Sequence, residues 1–351
     1  MNRLLVLIRV AAIAAVVAIL FGILTQTSWH ELSILDLFWE GIVPLVPIWL
    51  LLSPQTWRQV CPVATVNLAL PHLPGRKRTP LAAKLPGSLA LWMRRHGLIV
   101  AATLLWVIVP MRLVLFNTSG MATGILIIAI VAVALFMGFV MPWKSGWCAS
   151  ICPVYPVEKL YGAAPPLVIH DARCATDSEN KNCHRCALQC ADVPASDSSY
   201  WEAMQHVPAP NRVRRVREFF IGSFPGFVLA YVLLWAFAKL GSVDLISLVF
   251  VYGAFAIFMS ASYALFRAFV RRGAERGNSY TRRATAITLL LALNIYYIAG
   301  ADGIATVISR LAGRADLLPA FMAPILLIVM ATSMAWLQRA WRTPMQAYVE
   351  W

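Results

Sequence analysis

Residues 121–154 read MATGILIIAIVAVALFMGFVM followed by PWKSGWCASICPV. The first part carries no charged side chain and matches the ~20 apolar residues that cross a bilayer as a helix. The second part ends on Cys148, Cys152 and Pro153. A membrane helix therefore runs directly into a cysteine motif, and an earlier apolar span likewise leads to Cys61-Pro62.

Working outward, seven more apolar segments are long enough to span, at 5–25, 34–53, 98–116, 219–240, 245–266, 284–305 and 317–337. The first has Arg3 and Arg9 ahead of a long apolar run but no small-x-small cleavage site before Trp29, so it is read as a retained helix and not a signal peptide. The expected fold is an all-α polytopic membrane protein of about eight transmembrane helices with a small ferredoxin-like cysteine module. Helices one to four occupy 1–141, with a basic, proline-rich loop at 54–97; the module occupies 142–218, and helices five to eight occupy 219–351. Across the 351 residues, 60% are hydrophobic and 13% charged, and the mean hydropathy is +0.70.

The net charge of +14 does not point to nucleic acid, because of where it sits. On this topology 26 of the 30 Lys and Arg residues fall on one side of the membrane, while the opposite loops carry Glu31, Asp36, Asp244, Asp302 and Asp316. This is the positive-inside pattern. It places both termini and all seven cysteines in the cytoplasm, at a bacterial inner membrane. Cytoplasmic thiols stay reduced, so clustered cysteines there are read as metal ligands and not disulfides. The Arg212-Val-Arg-Arg-Val-Arg217 run suits anionic lipid, and more sharply an acidic ferredoxin or flavodoxin steered by charge.

The cysteines form three groups. Cys61 stands in Val60-Cys-Pro-Val63, Cys148 and Cys152 in Trp147–Val154, and Cys174, Cys183, Cys186 and Cys190 follow. A Cys-x2-Cys-x3-Cys run and cysteines before proline are iron–sulfur ligand patterns. The x3 spacing of Cys148 and Cys152 predicts one face of a helical turn. Aligning Cys61 with Cys152 aligns Trp57 with Cys148, so the two motifs read as an internal repeat that has tryptophan at one ligand position.

Two ligand assignments are open. Cys174, Cys183, Cys186 and Cys190 can hold one [4Fe–4S] cluster by themselves, leaving Cys61, Cys148 and Cys152 for a second centre. Alternatively Cys152 joins Cys174, Cys183 and Cys186, and Cys190 joins Cys61 and Cys148, as in two-cluster ferredoxins. Zinc is the competing metal for the tight run, although structural zinc sites usually use two separated Cys-x2-Cys pairs. Radical chemistry with S-adenosylmethionine would need a third cysteine where Tyr155 stands.

These motifs, Val60–Val63, Trp147–Val154 and Cys174–Cys190, resemble the membrane-bound polyferredoxins over roughly residues 30–200. That family includes the quinol-oxidising membrane subunit associated with periplasmic nitrate reductase and the C-terminal half of the flavoprotein linked to nitrous-oxide reductase. The resemblance implies cluster binding by the matching cysteines. It also implies electron passage between a cytoplasmic or quinol donor and a membrane or periplasmic redox partner. Further readings are an accessory factor that supplies electrons to a metalloenzyme or metal-uptake system, and a transporter with a structural zinc site.

The six histidines fall in loops or at helix ends, which disfavours a transmembrane haem wire; His170 and His184 lie close to the cysteines in sequence. Ser119–Thr123 and Asp302–Thr306 faintly resemble sites where flavin is joined to threonine, and small residues at a helix start explain them equally well. Glu40 and Arg112 fall inside predicted spans, where charges pair, snorkel or serve a pathway; a pair beside a quinone pocket is the functional reading.

Overall fold

The structure is a computed structural model that describes residues 3–29, 32–69, 87–140, 147–148, 150–167, 211–238, 243–274 and 278–343. Helix α1 covers Arg3–Leu24. A two-stranded ribbon follows, β1 (Ser28–Trp29) against β2 (Leu32–Ser33). The next span begins with a π-helical segment, π1 (Leu37–Ile42), and continues as α2 (Val43–Leu52). Two short helices come next, α3 (Pro54–Val60) and α4 (Pro62–Ala69). Helix α5 (Gly87–Met111) ends in a second π segment, π2 (Arg112–Phe116), and α6 covers Gly120–Val140. A short α7 (Tyr155–Gly162) precedes the four long helices α8 (Asn211–Phe237), α9 (Leu245–Ala274), α10 (Asn278–Leu311) and α11 (Leu318–Ala340).

Eight of these stretches are long and apolar enough to cross a membrane, and they coincide with the eight segments expected from the sequence. Helices α9 and α10 extend further than expected. Their added turns carry Arg271, Arg272, Arg282 and Arg283, charged residues that can continue a helix into water past the apolar stretch. The outer surface is greasy: Ile246 is 81% exposed, Leu245 75% and Ile257 69%. An apolar surface on this scale belongs against lipid.

Helices in lipid associate through close packing, because the tails are as apolar as leucine. Small residues provide the approach here. A Cβ at Gly226 would collide with the Phe258 carbonyl oxygen, and one at Gly222 would lie 2.6 Å from the Phe266 ring. Gly222 and Gly226 make a Gly-x3-Gly step on α8 facing α9, and Ser262 Oγ donates to the Gly222 carbonyl at 2.7 Å across it. Gly226→Ala is therefore expected to push α8 and α9 apart and lower stability by about 1–3 kcal/mol, the usual cost of overpacking. Gly253→Ala on α9, where a Cβ meets nothing within 4 Å, is the control expected to leave the thermal midpoint of the solubilised protein unchanged.

Buried polar ties join the two halves of the chain. Tyr161 on α7 donates to the Leu289 carbonyl at 2.8 Å, and Trp336 Nε1 on α11 donates to the Tyr161 carbonyl at 2.8 Å. Burial holds the Tyr161 hydroxyl well above the usual phenol range, so it stays a donor. Tyr297 on α10 donates to the Pro44 carbonyl of α2 at 3.0 Å. The last four helices thus form one packed unit with α2, α5 and α7.

Candidate functional site

Proline shapes the first cysteine motif. Pro54 opens α3 behind Ser53, whose hydroxyl caps the helix by accepting from the Thr56 amide. The helix runs as far as Val60, and Cys61 closes it through its amide to the Trp57 carbonyl at 2.8 Å. Pro62 then starts α4, where its missing N–H costs nothing. Cys61 is left at a joint between two helices. Positions 57 and 61 stand one helical turn apart, as the repeat requires, and Trp57 packs edge-on against Trp49 at 6.0 Å.

The second motif forms one tight turn. The amides of Ser150, Ile151 and Cys152 all point at the Trp147 carbonyl, each at 3.2 Å. The backbone coils around that one oxygen in a compact turn, and the Cys152 carbonyl accepts from Tyr155 at 2.9 Å as α7 begins. The turn lies against α5: a Cβ at Gly97 would stand 2.8 Å from the Ser150 carbonyl oxygen. A larger residue at 97 would displace the cysteines on either side.

These two motifs, distant in sequence, meet. Cys148 is 8% exposed and packs with Trp147, Ala64, Ala134 and Met137; Cys61, Val63, Ile151 and Cys152 close the same apolar pocket. Cys152 also touches the main core, so it sits where the two apolar regions join. Among the described residues no group of three or more His, Cys, Asp and Glu side chains stands close enough to hold a metal ion. Cys174, Cys183, Cys186 and Cys190, with His170 and His184, lie outside the described residues. The thiols fit an iron–sulfur centre in kind: Cys148 is buried, and Cys61 and Cys152 are half-buried at the margin of the same apolar cluster. The amides of Ser150, Ile151 and Cys152 are engaged by the Trp147 carbonyl.

Sequence reasoning overlooked Asn67, which is fully buried on α4 below Cys61. Its Nδ2 donates to the Ala134 carbonyl at 2.7 Å, and its Oδ1 has no partner. A buried acceptor without a donor is uncommon. The asparagine in an otherwise apolar stretch was the only available signal.

Arg112 does not snorkel. It is 6% exposed and gives its donors to the Trp39 carbonyl at 2.7 Å and Asn117 Oδ1 at 2.9 Å, not to Glu40. The two charges line one recess near the end of the bundle away from the cysteines. Thr123, the first flavin candidate, is buried, and its hydroxyl donates to the Phe116 carbonyl at 2.7 Å, joining π2 to α6. Thr306, the second, lies inside α10 and not at a helix start. His96, also expected at a helix end, lies within α5, where it stacks on Trp92.

No family model, curated protein or solved structure matches the chain.

Proposed function

We propose that this protein is a membrane-bound iron–sulfur electron carrier. It would pass single electrons on the cytoplasmic face between a cytoplasmic or quinol donor and a membrane or periplasmic partner. The observation that carries this reading is the meeting of Cys61, Cys148 and Cys152, from separate Cys-Pro motifs, in one apolar pocket. The compact Cys174–Cys190 run follows within the same polar segment. Thiols gathered on the basic side of a membrane protein suit a metal centre. When bound, iron–sulfur centres would supply one-electron chemistry. The chain's own part is to deliver thiolates, exclude water through Trp147, Met137 and Ala134, and fix the turn against Gly97.

The test is iron, zinc and acid-labile sulfide content of anaerobically purified protein, with EPR before and after dithionite. About four irons and sulfides with a reducible signal indicate one [4Fe–4S] centre, and about seven or eight indicate two. Zinc without sulfide refutes the reading and favours a transporter with a structural metal. Co-purifying partners separate an electron carrier from a maturation factor.

Trp57→Cys tests the repeat. It places a fourth thiol one turn from Cys61 and is expected to raise iron in the second centre, with a stronger EPR signal. Unchanged iron would make the likeness of the two motifs coincidental.

A further inference from the structure

The end of the bundle away from the cysteines holds charges that a bilayer interior keeps only where they serve something. Glu40 stands in π1 and Arg112 opens π2, and π segments concentrate at functional positions. Both line a recess with Trp39, Tyr231, Tyr296 and Gly300. The recess has a free volume of about 20 Å³. That is room for a water molecule.

The two charges differ in kind. Arg112 is locked in place: besides its hydrogen bonds to Trp39 and Asn117, its guanidinium lies 4.7 Å from the centre of the Trp39 ring and 5.3 Å from that of Tyr231. Glu40 is only half-buried and faces the space. The groups that act on it come from every neighbouring element. Asp36 lies one turn earlier on its own segment, Arg112 comes from π2, and Asp302 and Arg310 come from α10. Tyr231 of α8 and Tyr296 of α10 share the recess. Helix α10 passes close by: a Cβ at Gly303 would be in ordinary contact, 3.4 Å, with the Glu40 carbonyl oxygen.

We infer that Glu40 is a proton-exchange site: its carboxyl group takes up a proton from, and returns it to, water at the end of the bundle opposite the cysteines. The proton travels by water in the recess. The step moves one proton and no electron, converting carboxylate to carboxyl and back. Arg112 is the fixed positive stop that keeps the proton from passing deeper, as a lining arginine does in channels that exclude cations. The inference does not rest on the iron–sulfur reading.

The test uses the full chain in lipid vesicles of known orientation and dicyclohexylcarbodiimide, an apolar reagent that captures protonated carboxyls sheltered from water. Peptide mass mapping is expected to find the adduct on Glu40, several-fold above Asp36 and Asp302, and to find none on Glu40→Gln. Labelling should fade when buffer on the side opposite the cysteines is made alkaline, and should ignore the pH on the cysteine side. No adduct on Glu40, an adduct indifferent to pH, or a response to the cysteine side overturns the inference. The wild-type labelling decides the matter even if the glutamine variant fails to insert, and iron content plays no part in the readout.

Discussion

Serine at Cys183 or Cys186 is expected to remove about four irons and four sulfides per chain, the content of one [4Fe–4S] centre. The magnitude follows from the ligand count: a cluster held by four thiolates rarely survives the loss of one from its tight run. The same change at Cys152 separates the two ligand assignments that the spacing leaves open. Cys152 packs in one apolar cluster with Cys61 and Cys148, and the first assignment makes these three one centre. Cys152→Ser should then abolish a second, smaller signal and leave the first intact. If Cys152 instead completes the centre of Cys174, Cys183 and Cys186, its loss removes the four-thiolate signal and leaves the smaller one, which Cys61→Ser then abolishes. Parallel iron analysis and EPR of Cys61→Ser, Cys152→Ser and Cys183→Ser distinguish these outcomes. Equal iron in all three variants and the parent would remove the cluster assignment altogether.

Trp336→Ala is expected to destabilise the bundle by about 3–5 kcal/mol, the range for emptying a large buried aromatic site. Trp336 is fully buried on α11 and packs edge-on against Tyr161 at 5.5 Å while bonding its carbonyl. Tyr161 in turn holds Leu289 of α10, so the truncation loosens a tie that crosses three elements. Trp336→Phe keeps most of the volume and loses only the N–H, leaving the Tyr161 carbonyl short of a donor; that should cost about 1 kcal/mol. Thermal unfolding of the solubilised protein reads both. Equal effects of the two variants would show that the hydrogen bond, and not the packing, carries the tie.

The eight spans were legible because the bilayer imposes a local rule. Each crossing must satisfy its own backbone hydrogen bonds within one helix, so a run such as Met121–Val140 is written in consecutive residues. The cysteine motifs were legible for the same reason: ligands to one centre repeat at short spacings around proline. Locality also explains the misreadings. Arg112, expected to snorkel or to pair with Glu40, instead bonds the Trp39 carbonyl and Asn117, and Trp39 comes from a segment far away in sequence.

Other features depended on which faces meet, and helices apolar on all sides carry no stripe that says so. The Gly222–Gly226 contact with α9 is of this kind, as is the burial of Arg112 between Trp39 and Tyr231. Composition and spacing by themselves determined a chain of eight membrane-length helices bearing two Cys-Pro motifs. Only the tertiary structure brought Cys61 to Cys148 and Cys152, and set Glu40 and Arg112 on one recess, because side-chain packing between distant segments decides those contacts.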